Sequence, residues 1–373
     1  MIPILYDREY YAHNFVQIGK LPGWRELTVT EERNGEFVLE GDLKVGSLNA
    51  DRVGVEMVIR CAVAPVRADY DELQPFRIQS VTKPPDSDEL HIVANHISYQ
   101  LREYIVSPRF SFRDNSVQDI LDELNDPSGA YITPIQGLFS FHSSIETANP
   151  IQPSPVNPIS VRAWLGSDDA NSLASCLKRE GYDVEFDFDG FDVRIGFRGG
   201  ASDKTVAYGR NMMTLNFTTD ASGLITGYVG WGRWNGIYAS TPVAYRGDYG
   251  NFAYQRIQAI DLSNEFETLP TDQELWTAIT DYATAQGDAV LPTSITVTAV
   301  PDSLQDVHLC DTVTVIHPGY DLSNLSKVVK TVYDPLRERY ETLTIGELQT
   351  GITDTVAMML HRGGNYEYRD ISI

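Results

Sequence analysis

Alternating apolar and charged residues near the middle of the chain predict a β-hairpin. Between residues 182 and 197, an apolar side chain occupies every second position on both sides of the pair Asp189-Gly190. Asp and Gly tolerate the positive φ angles that a two-residue hairpin turn requires. A turn at this pair would bury three apolar pairs on one face and leave the charged residues, Glu185 and Asp187 among them, exposed to solvent on the other. The expected pairs are Phe188 with Phe191, Phe186 with Val193, and Val184 with Ile195.

Short strand-like stretches separated by turn residues dominate the first 105 residues. Asn34-Gly35 between two such stretches is a strong hairpin signal. The run Val53–Val63 is apolar with little alternation, which is typical of an interior strand. Five or six short strands at this spacing predict a small β-barrel or sandwich. The other predicted strands are residues 27–32, 37–40, 75–81 and 90–96.

Two helices are predicted after residue 111 from apolar residues at helical spacing. The first begins after Ser116, whose hydroxyl can cap the helix, and Asp119 stands three positions further on. The second is expected to begin at Ser167 or Asp168, and Gly181 is expected to end it.

A third helix is predicted over residues 272–286, within a second strand-rich part of the chain. Thr271 and Glu274 have the spacing of a capping box, and Gly287 is expected to stop the helix.

These patterns indicate an α+β protein that is mainly β, with several domains, because 373 residues exceed one ordinary core. The two strand-rich ends are interpreted as β-barrels with an α+β region between them. The predicted boundaries are 1–105 for the first barrel, 106–239 for the middle region, 240–348 for the second barrel-like domain, and 349–373 for a C-terminal tail.

The net charge, the lengths of the apolar runs and the cysteine spacing each argue against one class of protein or site. Its formal net charge is −23, whereas proteins that grip nucleic acid neutralise phosphates with Lys and Arg. We expect neither a membrane span nor a secretory signal, because no apolar run approaches about 20 residues and the N-terminus lacks a basic region before an apolar run. The three distant cysteines form no CxxC pair, so a zinc site or a disulfide framework is not expected.

Few residues suggest a catalytic, metal-binding or ligand-binding role, and each of them also has an ordinary structural interpretation. His91 and His96 would point to opposite faces of one strand, which is a poor geometry for a metal site. Cys176 lies beside the apolar face of the second helix, without the positioned base that a nucleophile needs. Trp231 and Trp234 could form a sugar-binding platform, although interior or interface packing is the favoured interpretation. We therefore predict no catalytic, cofactor-binding or metal residues and no cofactor.

Four stretches, in order along nearly the whole chain, resemble the hub module of the phage tail-associated lysin family, also called prophage endopeptidase tail. They are Leu27–Glu40 with QPFRIQSVTK and VANHISYQL after it, GYDVEFDFDGFDVRIGFRGG, VAYGRNMMTL, and Asp311–Glu347. The resemblance implies a hub in which two β-barrels per subunit surround a central channel. Three subunits would then close the distal end of the tail tube and open for DNA ejection.

The resemblance also implies partners and a location. Those partners are two further copies in a homotrimer, a distal tail protein ring, the tape measure protein, and receptor-binding or tail fibre proteins. DNA would pass through the lumen without specific binding. The expected location is the distal tail tip of a virion, in a siphophage with a long flexible tail.

Lytic members of this family carry a peptidoglycan-degrading domain beyond the hub, and no motif of such a domain is recognisable here. We therefore expect a structural protein and not an enzyme, and the sequence is interpreted either as a short, purely structural hub or as a fragment of a longer chain. Two alternatives stay open, namely a peptidoglycan hydrolase and a carbohydrate-binding adhesin that uses Trp231 or Trp234.

Overall fold

A computed structural model of the chain describes most of its residues. The described residues are 2–8, 16–65, 73–110, 112–125, 138–166, 172–219, 224–263, 265–266, 268–289, 293–300, 304–320 and 322–348. The predicted tail 349–373 lies outside them.

The described structure is mainly β and falls into two compact units. The first unit takes the described residues up to 215 and those from 296 onward, and the second takes those from 216 to 295. The division falls within two strands, β16 (Met212–Thr219) and β20 (Thr293–Ala299).

One large sheet contains eleven described strands that lie wholly within the first unit, before residue 97 or after residue 200. Those strands are β1 (Ile4–Tyr6), β2 (Gln17–Lys20), β3 (Trp24–Glu32), β4 (Phe37–Lys44), β5 (Val58–Cys61), β6 (Gln74–Thr82), β7 (Glu89–His96), β15 (Ala201–Ala207), β21 (Thr312–His317), β22 (Leu322–Asp334) and β23 (Arg339–Leu348). With β16 and β20 they form a 13-stranded sheet of order β16-β20-β23-β22-β3-β4-β7-β6-β5-β1-β2, in which β21 pairs with β22 and β15.

The two chain ends meet in this sheet through β22. Its second half pairs antiparallel with β3, from Lys330 opposite Glu32 to Tyr333 opposite Val29. The hairpin of β3 and β4 forms as predicted, because Asn34 adopts the left-handed conformation that its turn requires. Alternate residues of both strands are buried in the core of the sheet.

The middle of the first unit has its own apolar core, in which three helices and short strands enclose Trp164. Trp164 is fully buried, and its indole N–H donates to the carbonyl oxygen of Pro153. The elements are β8 (Ile105–Val106), β9 (Asp114–Ser116), α1 (Val117–Asn125), β10 (Ser140–Ser143), β11 (Glu146–Ile151), β12 (Ile159–Ser160), α2 (Val161–Gly166), α3 (Leu173–Arg179), β13 (Glu185–Asp189) and β14 (Asp192–Gly196).

The second unit packs one helix on a three-stranded sheet. The sheet has the order β18-β17-β19, from β17 (Gly227–Trp234), β18 (Ile237–Tyr245) and β19 (Ile257–Asp261), and the helix is α4 (Asp272–Ala285). Glycines on the helix-facing side of β17 make this packing possible. A Cβ at Gly232 would lie 2.2 Å from the indole of Trp234, and one at Gly230 would crowd Ile279 of α4.

The hairpin of β13 and β14 forms, but its predicted register is wrong. The structure pairs Phe188 with Val193 and Phe186 with Ile195, so Gly190 and Phe191 make the turn. Gly190 has a φ of 61°. The register shift equals one alternation, and the apolar residues therefore keep the predicted face.

The second predicted helix begins later than expected. Ser172 caps α3, because its hydroxyl accepts a hydrogen bond from the backbone N–H of Ser175. Ser167 and Asp168 lie outside the described residues. Gly181 ends the helix as predicted, with a φ of 89° and a bond from its N–H to the carbonyl oxygen of Lys178.

Of two further predictions about the β-structure, one needs correction and the other stays a prediction. The predicted strand Val53–Val63 is confined to β5, because Glu56 takes a left-handed turn conformation before it. No closed barrel is found among the described strands, so the two-barrel description and its domain boundaries stay predictions.

Replacing Thr271 with Ala should lower the free energy of unfolding of the second unit by about 1 kcal/mol. Thr271 accepts from the N–H of Glu274, and the Glu274 carboxylate accepts from the N–H of Thr271, so the predicted capping box is confirmed. Chemical denaturation of the variant would measure the loss. Thr271→Ser keeps the hydroxyl and should stay near wild type, and an unchanged Thr271→Ala would contradict the role of this cap.

The same cap should make α4 sensitive to acid. Hydrogen bonds from the backbone and hydroxyl of Thr271 hold the pKa of Glu274 below its ordinary value of 4.5. Because the folded pKa is lowered, the stabilisation is fully present above pH 4.5 and is lost as the pH falls through the folded pKa. Glu274→Gln should therefore flatten the acid limb of the stability curve, and a variant that loses stability in acid as wild type does would contradict this.

Candidate functional site

A buried carboxylate joins the hairpin of β13 and β14 to the large sheet. The side chain of Glu185 is fully buried, although the sequence pattern predicted it on a solvent-exposed face. Its Oε1 lies 3.0 Å from Nη2 of Arg33 and also accepts from Nζ of Lys327, and its Oε2 accepts from the backbone N–H of Arg198 at 2.9 Å. Glu185 thus binds groups from the β3–β4 turn, from β22 and from the segment after β14.

A second buried ion pair lies beside the first. Arg198 donates through Nη1 to Glu31 at 2.6 Å, and its Nε lies 3.2 Å from a carboxylate oxygen of Asp187. Burial lowers the pKa of Arg198, but the carboxylates of Glu31 and Asp187 outweigh this effect and hold the pKa above its ordinary value. We define Glu31, Arg33, Glu185, Asp187, Arg198 and Lys327 as the charge network.

A cysteine beside the charge network is kept protonated by its burial. Cys310 is buried, and burial raises the pKa of its thiol to about 12. A thiol in this state is a poor nucleophile, because the thiolate is the reactive form. The network therefore holds the first unit together and offers no nucleophilic chemistry.

A polar contact at the tip of the hairpin explains its register. The amide of Gln74 donates to the carboxylate of Asp189 at 2.8 Å and accepts from the N–H of Gly190 at 2.7 Å. Gln74 is itself bound to the ring of His96. These contacts hold Asp189 at the end of the strand and leave Gly190 in the turn.

A cleft of about 650 Å³ in the first unit contains two arginines that share one aromatic ring. The guanidinium carbons of Arg102 and Arg162 lie 4.3 and 4.2 Å from the centroid of Tyr99. Arg162 also donates to the carbonyl oxygen of Gly35 and to the hydroxyl of Ser98. Burial lowers the pKa of Arg162 to about 10. These bonds give Arg162 a structural role at the wall of the cleft.

The sheet of the second unit has one face, called the open face here, on which the described residues place no helix or further strand. Tyr228 and Trp234 belong to the apolar core that includes residues of α4, whereas the alternate residues of β17 point away from the helix. The strand pairing brings side chains of all three strands onto that opposite face. The open face is defined by Val229, Trp231, Arg233, Tyr238, Val243, Tyr245, Ile257 and Asp261.

The two predicted sugar-platform tryptophans have different environments. Trp234 is buried against Phe266, whose carbonyl oxygen accepts from its indole N–H at 3.0 Å. Trp231 is partly exposed on the open face, directly opposite Ser240 on one side and Asp261 on the other. Only Trp231 could contact a ligand on this face.

The histidines and Cys176 keep their structural interpretations. His91 is partly exposed and lies 2.9 Å from Asp42 on β4, whereas His96 is buried on the other face of β7. Burial, followed by the charge of Arg162, lowers the pKa of His96 well below its ordinary value, so the ring is neutral. Cys176 is buried in the middle core, with Nη2 of Arg179 3.2 Å from its sulfur.

Neither a metal-binding cluster nor a membrane-spanning helix occurs in the part of the chain that the structure describes. No group of three or more His, Cys, Asp or Glu side chains in the described part of the chain is placed to hold a metal ion. Among the same residues, no helix has the length and apolar character needed to cross a membrane.

Residues 201–356 match the family model described as prophage endopeptidase tail. This stretch, about two fifths of the chain, carries the family's sequence pattern. The resemblance to the prophage endopeptidase tail family that was predicted from the sequence is therefore confirmed. No curated protein sequence matches the chain.

Solved structures of tail proteins share the fold. The 43 kDa tail protein of prophage MuSo2 from Shewanella oneidensis is 12% identical, with a TM-score of 0.53 over 95% of this chain and 99% of that one. A tail protein from Neisseria meningitidis is 12% identical, with a TM-score of 0.51 over 92% and 96%. At these identities the likeness concerns the fold alone, and it extends over nearly the whole of each chain.

Arg198→Met should destabilise the first unit by about 3–5 kcal/mol, because it leaves the carboxylates of Glu31 and Asp187 buried without this cation. Urea denaturation would measure the loss. The second variant Glu31→Gln should recover part of it in a double-mutant cycle. Arg25→Met is the matched control, since Arg25 pairs with Asp88 at the surface and should contribute at most about 1 kcal/mol. Equal effects of the two arginine variants would contradict the role of the network.

Proposed function

We propose that this protein is a structural component of a phage tail, the trimeric hub that closes the distal end of the tail tube and opens for DNA ejection. The observation that carries the proposal is the agreement of two findings. Residues 201–356 match the prophage endopeptidase tail family, and the MuSo2 tail protein has the same fold over 99% of its length.

The proposed hub docks on a ring of distal tail protein, contacts the tape measure protein, and adjoins receptor-binding or tail fibre proteins. It belongs to the distal tip of the virion. The net charge of −23 supports passage of DNA, because an acidic lumen repels phosphates and prevents adhesion. This part of the proposal requires that carboxylates be concentrated on the inner wall of the assembled ring.

The environments of the candidate residues favour a structural role over catalysis. Cys176 and Cys310 are buried, the charge network holds strands together, and His96 is fixed by Gln74 and Ser98. A carbohydrate-binding adhesin is the second candidate, and the observation in its favour is Trp231 on the open face beside Asp261. No contact in the described residues favours a peptidoglycan hydrolase.

The purified chain should form a trimer, with a mass near three times 41.7 kDa. Light scattering coupled to size exclusion, across a range of concentrations, would measure this mass. Negative-stain images of the same fractions should show three-fold rings with a central channel. Addition of a distal tail protein ring should shift the trimer to a larger complex of fixed stoichiometry.

A chain that stays monomeric even with the distal tail protein present would overturn the hub proposal. Release of soluble fragments from purified cell walls by the wild-type protein would instead favour the hydrolase. Binding of glycans by a stable monomer would favour the adhesin.

A further inference from the structure

The cleft of about 650 Å³ beside Tyr99 has the dimensions of a small-molecule site. Such sites range over about 300–1,000 Å³ and combine an apolar or aromatic wall with a few charged groups. The walls here come from the β3–β4 turn, the short 3-10 helix Ile97–Arg102, α2 and β13, all within the first unit. Phe186 and Phe188 of β13 form the aromatic wall.

The charged side chains that line this cleft are two arginines and one carboxylate. The carboxylate, Glu36, lies 3.3 Å from Nζ of Lys330, which compensates its charge. Arg102 is exposed and forms no ion pair within the described residues. Arg162 likewise has no carboxylate partner among them, because its hydrogen bonds go to a hydroxyl and to a backbone carbonyl oxygen. The cleft therefore carries an excess of positive charge.

The ring of Tyr99 keeps the two guanidiniums near each other. Their carbons lie 4.3 and 4.2 Å from its centroid, so the two carbons are at most about 8.5 Å apart. Burial is the main reason that the pKa of Arg162 is lowered, and the charge of Arg102 lowers that pKa further. Two like charges held this close repel each other, and an anion bound between them would replace repulsion with attraction.

The spacing suits one phosphate group held by both side chains. A guanidinium binds phosphate through two parallel N–H···O bonds of about 2.8 Å, which places its carbon about 4 Å from the phosphorus. Two guanidiniums that hold one phosphate from different sides are then about 8 Å apart or closer. A phosphate monoester carries about −1.5 to −2 charges at pH 7, which matches two arginines better than the single charge of a carboxylate does.

A second cleft in the same unit shows what is distinctive about the first. It is also about 650 Å³ in volume and contains Arg194 and Arg198. Arg194 pairs with Asp189 and Asp192, and Arg198 is held by the carboxylates of the charge network. Its arginines are thus already neutralised from within the chain, and this second cleft has no comparable charge to offer an anion.

We propose that the cleft beside Tyr99 binds a small organic phosphate monoester, with the phosphate between Arg102 and Arg162 and the organic part against Phe188. The ring centroid of Phe188 lies 5.1 Å from the guanidinium carbon of Arg162, so both parts of such a ligand find their partners side by side. The bonds of Arg162 to Ser98 and Gly35 hold its guanidinium in place before a ligand arrives, which lowers the entropic cost of binding. This inference goes beyond the proposed hub function and does not depend on the assembly of the chain.

Titration calorimetry of the purified chain with phenyl phosphate would measure the affinity of the cleft. Arg102→Ala should weaken binding about 10-fold or more, because it removes charge-assisted hydrogen bonds to the phosphate. Arg102→Lys keeps the charge but loses the planar fork, and it should recover part of the affinity. Arg109→Ala is the matched control, since Arg109 is exposed in the same unit and lies outside the lining of the cleft. The control should bind as wild type does.

Three further ligands test the two parts of the proposed site separately. Inorganic phosphate should bind more weakly than phenyl phosphate, because it has no apolar part to place against Phe188. Benzoate should also bind more weakly, because it carries one charge. Benzyl alcohol, which is neutral, should show no measurable binding. Circular dichroism of each variant would check that the fold is retained.

Several results would overturn this inference. They are the absence of phenyl phosphate binding by the wild-type chain, wild-type affinity in Arg102→Ala, and equal losses in Arg102→Ala and Arg109→Ala. Benzoate that binds as tightly as phenyl phosphate would contradict the assignment to phosphate, and inorganic phosphate that does so would contradict the role of the aromatic wall. The hub proposal is tested by the mass of the assembly instead. A monomer that binds phenyl phosphate would overturn the hub and leave the phosphate site in place.

Discussion

The burial of Glu185 is the constraint on which the arrangement of the first unit depends. A carboxylate removed from water costs several kcal/mol unless it is fully paired. Here the pairing groups come from the β3–β4 turn, β22 and the segment after β14, so one side chain requires three distant parts of the chain to be in place. Apolar packing of the hairpin would tolerate several orientations, whereas the directions of these bonds select one. Arg198 adds the same requirement through Glu31 on β3.

Local signals in the sequence predicted the local structure well. Asn34-Gly35 predicted its turn, and Thr271 with Glu274 predicted the start of α4, because a turn or a cap depends only on residues within a few positions. The hairpin register was wrong for the opposite reason. It depends on Gln74, more than 100 residues away, whose amide binds Asp189 and Gly190. No local pattern contains that information.

The functional surfaces were harder to foresee than the fold. Glu185 follows the alternation of an exposed strand face, and only the approach of β3 and β22 buries it. Trp231 and Trp234 are the same residue type, so composition alone could not show which of them is exposed. They are three positions apart, and this odd spacing places them on opposite faces once both are known to lie in β17. Glycines 230 and 232 were the missed signal, because two small residues on alternate positions leave room for a helix and an indole on that side.

The pairing of β22 with β3 has a consequence for synthesis of the protein on the ribosome. About 300 residues separate Val29 from its partner Tyr333. At translation rates of roughly 5–20 residues per second, this edge of β3 stays unpaired for on the order of 15–60 s before β22 has been synthesised. During that time an uncovered strand edge is a template for wrong pairing with other nascent chains. The negative charges of Glu26, Glu31 and Glu32 along β3 should repel the same strand of another nascent chain and so disfavour this wrong pairing.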